Sequence, residues 1–167
     1  MIQRHSHGLK KLNAQPPAAS AQGAAPPADR QAIERLLADY AEALSTCASA
    51  KYASLFTPDG AFTSVDFRGA THRRLYGKSA TLVGRNKLVE LVEAEEFCLD
   101  PQQRQACAAA RRQDSAGFNN LTLEAVDGGV RGVLPLANGG RYDDVYVRTA
   151  DGWKFKSRTV VMPAPGR

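Results

Sequence analysis

Two adjacent carboxylates between two phenols, in the run Tyr142-Asp143-Asp144-Val145-Tyr146, are the densest concentration of reactive side chains in the sequence. A carboxyl group enclosed by apolar neighbours resists ionisation and can act as an acid, a base or a hydrogen-bond donor. Neighbouring residues on a strand face opposite ways, so only one of Asp143 and Asp144 can join the core. If Val145 and Val147 turn inward, Asp143 goes with them; if Tyr142 and Tyr146 do, Asp144 does. An ion pair with Lys156 or Arg158 on the neighbouring strand is an equally good use of either carboxylate. The other candidate is Tyr40, which falls on the apolar face of a helix. It is either a core phenol whose hydroxyl finds an acceptor or a donor at the floor of a cavity.

Familiar catalytic signatures are absent. The sequence contains no G-x-S-x-G, no H-E-x-x-H, no phosphate-binding loop and no dinucleotide-binding glycine pattern. Of its histidines, His5 and His7 lie near the N-terminus, which leaves His72, expected on an exposed loop. A metal site is therefore not expected, and the chemistry expected is cofactor-free. The net charge of +5 comes from scattered basic residues without interleaved aromatics, so a solvated surface is expected rather than a nucleic-acid site. No apolar run approaches the ~20 residues of a membrane span. Three cysteines, Cys47, Cys98 and Cys107, cannot all pair within one chain. Cys98–Cys107, Cys47–Cys98 and reduced buried thiols all remain open.

The elements that must position these groups follow from periodicity. Residues 1–28 are rich in Pro, Ala, Gln and Ser, cannot bury enough apolar surface to offset chain entropy, and are expected to be a disordered tail. The tail and the cysteines suit an exported or periplasmic protein, although no signal peptide is visible and the localisation is left open. A domain spanning residues 29–163 follows. It opens with an amphipathic helix capped by Asp29, with Ile33, Leu36, Leu37, Tyr40 and Leu44 inward. A short helix over residues 48–56 is expected to end at the turn signal "TPDG". Strands are expected over residues 61–67 and 73–83, then a helix over 84–97. Four strand-like runs from Phe118 onward, separated by glycine-containing turns, read as an antiparallel meander. The class is α+β, with helices on one face of a curved sheet.

The segments "AIERLLADYAEAL", "YASLFTPDGAF", "GRNKLVELV" and "GGRYDDVYVRTADGWKFKSR", in this order and spacing, resemble the SnoaL-like branch of the nuclear transport factor 2-like superfamily. The resemblance implies a cone-shaped curved antiparallel sheet wrapped around three helices. It also implies a homodimer formed through the outer face of the sheet. The ligand it implies is small and apolar or carbonyl-containing. The activity would be that of a cofactor-free isomerase, dehydratase or cyclase, or else non-catalytic binding or assembly, since the fold is widely reused.

In ketosteroid isomerase-like members a tyrosine at the place of Tyr40 stabilises a dienolate oxygen. Counting without gaps from Tyr40 and Phe56, the family's aspartate base falls on Ser64, which has no carboxylate. Asp66 shares that strand face and is the nearest substitute. The isomerase likeness favours Asp143 as the acid that partners the tyrosine, and a Y-x-D-x-Y pattern favours Asp144. Asn119 and Asn120 are expected to open the third strand, and the histidine of dehydratase-like members is missing at Ser115 and Ala116. The expected site is thus Tyr40 with Asp143 or Asp144 for catalysis, and Ser64, Asp66 and Asn120 for binding substrate.

Overall fold

The computed structural model describes residues 23–66, 81–103, 105, 118–137 and 139–162. His72, Cys107, Ser115 and Ala116, and most of the strand expected over residues 73–83, lie outside the described residues.

Helix α1 (Pro27–Ser45) starts earlier than expected. Pro27 takes the first helical position, where a missing N–H costs nothing. Asp29, expected as the cap, instead lies in the first turn, where its charge suits the helix dipole and where it pairs with Arg148. Helix α1 ends in a Schellman motif: Ala48 N–H donates to Ala43 O at 2.9 Å and Cys47 N–H to Leu44 O at 3.2 Å. Helix α2 (Ser49–Ser54) follows immediately.

Strand β1 (Phe56–Asp66) overturns the expected turn at "TPDG". Pro58, Asp59 and Gly60 form an irregularity inside the strand, and the β1–β6 register shifts between Phe56 and Ala61. Gly60 is needed there, because a Cβ would come within 2.8 Å of the Phe56 Cβ. Arg85 holds the strand's start by donating from Nη2 to Phe56 O at 2.9 Å. Strand β2 (Thr81–Val83) leads into α3 (Arg85–Glu93), which buries Leu88, Leu91 and Val92. The helix expected to run on to residue 97 stops at Glu93, and the single turn α4 (Glu96–Leu99) follows. Cys98 of α4 is bonded to Cys47.

Strands β3 (Thr122–Val126), β4 (Gly129–Pro135), β5 (Arg141–Thr149) and β6 (Gly152–Met162) form the meander. The six-stranded sheet has the order β2-β1-β6-β5-β4-β3. It is mixed: β1 runs parallel to β6, and every other pairing is antiparallel. At its β3 edge Gly23 O accepts from Ala125 N–H at 2.9 Å and Ala24 bridges Glu124, so residues expected within the tail cover that edge. Asn119 and Asn120, expected to open β3, form an exposed turn before it. Among the described residues no helix is long and apolar enough to cross a membrane.

The core lies between the inner face of the sheet and helices α1 to α3. Ile33, Leu37 and Tyr40 of α1 and Tyr52 of α2 belong to one buried cluster with Phe56, Tyr146 and Phe155. Rings stack through it, with Phe56–Phe155 centroids 5.0 Å apart and Tyr146–Phe155 centroids 5.3 Å apart.

Candidate functional site on the inner face of the sheet

The pleat places Tyr142, Asp144 and Tyr146 on the buried side of β5 and Asp143 on the other side. Opposite them on β6, Phe155, Arg158 and Val160 are buried. Strict alternation from Phe155 would have turned Arg158 outward. An extra residue, Lys156, interrupts the ladder, since Tyr146 pairs with Phe155 and Val145 with Ser157. Beyond this bulge Arg158 points in and sits directly across from Asp144.

The two side chains form a bidentate pair. Arg158 donates from Nε to Asp144 Oδ1 at 2.9 Å and from Nη2 to Asp144 Oδ2 at 3.0 Å. Tyr146 Oη donates to the same Oδ2 at 2.6 Å. Both charged residues are only 1% exposed. Such a pair adds little net stability over an apolar pair, but removing one partner strands the other charge. Tyr146 reaches its acceptor because Gly132 lies opposite Asp144 on β4. A Cβ at Gly132 would stand 2.6 Å from Tyr146 Cε2 and 3.2 Å from its hydroxyl.

The guanidinium is enclosed by rings. Its central carbon lies 3.7 Å from the Tyr142 ring centroid, 4.1 Å from that of Tyr40 and 4.7 Å from that of Phe155. Tyr40 in turn accepts a long hydrogen bond from Tyr52 Oη at 3.4 Å. Burial, reinforced by the neighbouring phenols of Tyr52 and Tyr142, pushes the Tyr40 hydroxyl well above the usual phenol range. Tyr40 is therefore a neutral phenol well beyond the pH range in which an exposed tyrosine ionises. Burial pushes Tyr146 up as well, and the Asp144 charge adds to it. For Arg158 burial works against the charge, but Asp144 and the phenols outweigh it and the net shift is upward.

Of the sequence candidates, the structure gathers Tyr40 and Asp144 around Arg158. Ser64 lies on the same inner face of β1, fully buried, with no hydrogen-bond partner for its hydroxyl. Asp66 ends β1 opposite Met162; its side chain lies outside the described residues. Asp143 is not part of the cluster. It faces outward and pairs with Arg141 at 2.9 Å. Asn120 is exposed in its turn. Asp143 lines a groove of about 410 Å3 on the outer face, with Arg131, Val133, Asp144, Val145, Ser157 and Thr159. Asp144 borders this groove although its carboxylate is held on the inner face by Arg158 and Tyr146. Among the described residues no group of three acidic, histidine or cysteine side chains is placed to hold a metal ion. Arg158 and Tyr146 carry the centre of the cluster; Tyr146 faces inward by simple alternation with Asp144, whereas the inward orientation of Arg158 rests on a bulge that alternation does not reveal.

A half-open sheet curved around N-terminal helices, with polar groups at its inner face, defines the nuclear transport factor 2-like superfamily. Within it, residues 27–159 match the SnoaL-like domain model, and the chain belongs to that family. Among solved structures, the chain is similar to ActVI-ORFA of Streptomyces coelicolor, at 19% identity and a TM-score of 0.52, covering 78% of this chain and 94% of that one. It is also similar to a Catenulispora acidiphila protein in complex with S-DNPA, at 19% identity and a TM-score of 0.51, covering 80% and 92%. A third is a Nostoc punctiforme protein of unknown function with a cystatin-like fold, at 15% identity and a TM-score of 0.50, covering 83% and 94%. At these identities the likeness concerns the fold. No curated protein matches the sequence at a significant level.

Proposed function

We propose that this SnoaL-like domain binds a small, largely apolar ligand against the inner face of its sheet, with the Tyr40 phenol and the Asp144–Arg158 pair as the polar groups of the site. The observation that carries this reading is the buried, ring-enclosed ion pair beside a phenol held in its neutral form. Polar groups this deeply placed need partners. Cofactor-free isomerase, dehydratase or cyclase chemistry fits a neutral phenol that donates to an oxygen on which charge develops. In that case Tyr40 is the donor, and Asp144 acts by holding Arg158.

Non-catalytic binding is the second reading. It is favoured by one observation: both Asp144 oxygens are already engaged, by Arg158 and Tyr146, so the carboxylate has little freedom to move protons. The test is a screen of small ketones, enones and hydroxy compounds for binding and turnover by wild type and Tyr40→Phe. Turnover lost in Tyr40→Phe supports the enzyme. Binding weakened without any turnover supports the binding domain. Hits bound as tightly by Tyr40→Phe as by wild type would sink the site.

The outer face is the proposed homodimer surface. Val133, Val145 and the groove around them give it a partly apolar centre flanked by the Arg141–Asp143 pair. Sedimentation at micromolar concentration should give a dimer, and a monomer would contradict it. An oxidising compartment fits the Cys47–Cys98 bond, which would seldom persist among reduced cytosolic thiols.

A further inference from the structure

Among the described residues β3 is the last strand at its end of the sheet, and an edge of this kind is a template for pairing with another chain. A short strap, residues 23–26, covers part of it. Ala125 N–H donates to Gly23 O at 2.9 Å, and Ala24 lies opposite Glu124. The ladder cannot lengthen toward α1, because Pro26 and Pro27 have no N–H to donate. The strap is held from three sides. Pro26, at φ −54° and ψ 147°, keeps it extended up to the first turn of α1. The Ala25 methyl is partly buried and packs against the core, whereas Ala24 is exposed. Arg30 ties the start of α1 to the segment that enters β3, donating from Nη1 to Leu121 O at 3.0 Å and from Nη2 to Phe118 O at 3.1 Å.

We propose that residues 23–26 are a displaceable guard on the β3 edge, and that the surface they hide pairs with β3 of a second copy of this chain. The occupant follows from the edge itself. Ala125 turns its N–H outward, to Gly23, and by alternation Leu123 presents its backbone groups on the same side. Laid antiparallel on a second β3 about Glu124, the edge sets Leu123 of each copy against Ala125 of the other, so it is its own complement. The same arrangement sets Glu124 against Glu124, and like charges directly opposite weaken a strand pair. Glu124, exposed at the middle of the edge, is therefore a second guard, and the contact is weak even with the strap gone. It is made at the edge of the sheet, apart from the outer-face surface proposed above, and adds to whatever assembly that face forms.

The experiment uses the full oxidised chain, with exchange of the Ala125 amide read by nuclear magnetic resonance and mass read by sedimentation at about 10 and about 500 μM, each against wild type at the same concentration. Ala25→Asp puts a charge where the methyl packs and should release the strap. Its Ala125 amide should exchange at least about tenfold faster at the lower concentration. At the higher concentration its mass should exceed that of wild type, and the Ala125 amide should regain protection. Ala24→Lys faces Glu124 and should tighten the strap, slowing the same exchange about twofold. Adding Ala125→Pro to Ala25→Asp removes the outward donor of the edge and should return the mass to the wild-type value. Unchanged exchange at Ala125 in either single variant would overturn the proposal. So would a released strap with wild-type mass at both concentrations. Added mass that persists with Ala125→Pro would place the association on another surface and would overturn it too. If circular dichroism shows Ala25→Asp to be unfolded, the strap is part of the core rather than a displaceable cover, and the proposal falls.

Discussion

Reducing the Cys47–Cys98 bond should cost this domain a large part of its stability. The bond closes a loop of 51 residues that contains β1, β2 and α3. With that loop length, the chain-entropy relation removes about 14 cal/mol/K from the unfolded ensemble, or ~4 kcal/mol at room temperature. For a domain of this size that corresponds to a fall of roughly 10 °C in melting temperature. The geometry around Cys47 adds a second, separable effect. Cys47 is the C′ residue of the Schellman motif, with φ of 56°, a left-handed conformation that suits glycine. Replacing it with alanine or with glycine removes the bond in both cases, but the glycine variant avoids the Cβ penalty. Cys47→Gly should therefore melt above Cys47→Ala by an amount equivalent to about 0.5–1 kcal/mol. The assay is thermal unfolding followed by circular dichroism, with and without a phosphine reductant, and thiol counting by mass after alkylation. The reasoning is refuted if complete reduction, verified by alkylation of all three cysteines, moves the melting temperature by less than about 2 °C.

The two aspartates should separate cleanly: Asp144→Asn leaves Arg158 charged and poorly paired, at a cost of about 3–5 kcal/mol in urea unfolding, whereas Asp143→Asn, on a half-exposed surface pair, should cost no more than about 1 kcal/mol. Equal costs would contradict the assignment of faces. Gly132→Ala should destabilise by about 1–3 kcal/mol, because its Cβ must displace the Tyr146 ring; a neutral result would show that the ring is free to move. Stability should also fall as pH rises above about 10, the ordinary phenol range. Tyr40, Tyr52 and Tyr146 have their pKa raised by burial in the folded state. Above that pH the unfolded chain releases protons that the folded chain retains, so unfolding is favoured. Ultraviolet titration should show these phenols ionising only as the protein unfolds, and early ionisation of all tyrosines would contradict it.

What could be read in advance follows from which signals survive local irregularity. The apolar positions of α1 repeat at helical spacing, so Ile33, Leu36, Leu37 and Tyr40 are found inside, as their spacing requires. The meander turns carry glycines, and the strands lie where those turns put them. The start of strand β1 is not legible in the sequence, because Pro-Asp-Gly is a strong turn signal. Here it is absorbed as an irregularity within a strand anchored by Arg85 and β6.

The centre of the site was hidden for the same kind of reason. Alternation is a two-residue code, and one extra residue reverses every later assignment on its strand. Lys156 is that residue on β6. It turns Arg158 inward, which settles which aspartate can follow: the carboxylate directly across the ladder is Asp144, and burying a guanidinium there without it would be prohibitively costly. The choice between Asp143 and Asp144 was thus never contained in β5 alone. It depended on a bulge in the neighbouring strand. The same bulge places Arg158 between the rings of Tyr40 and Tyr142, so the helix phenol meets the strand carboxylate through the arginine rather than directly.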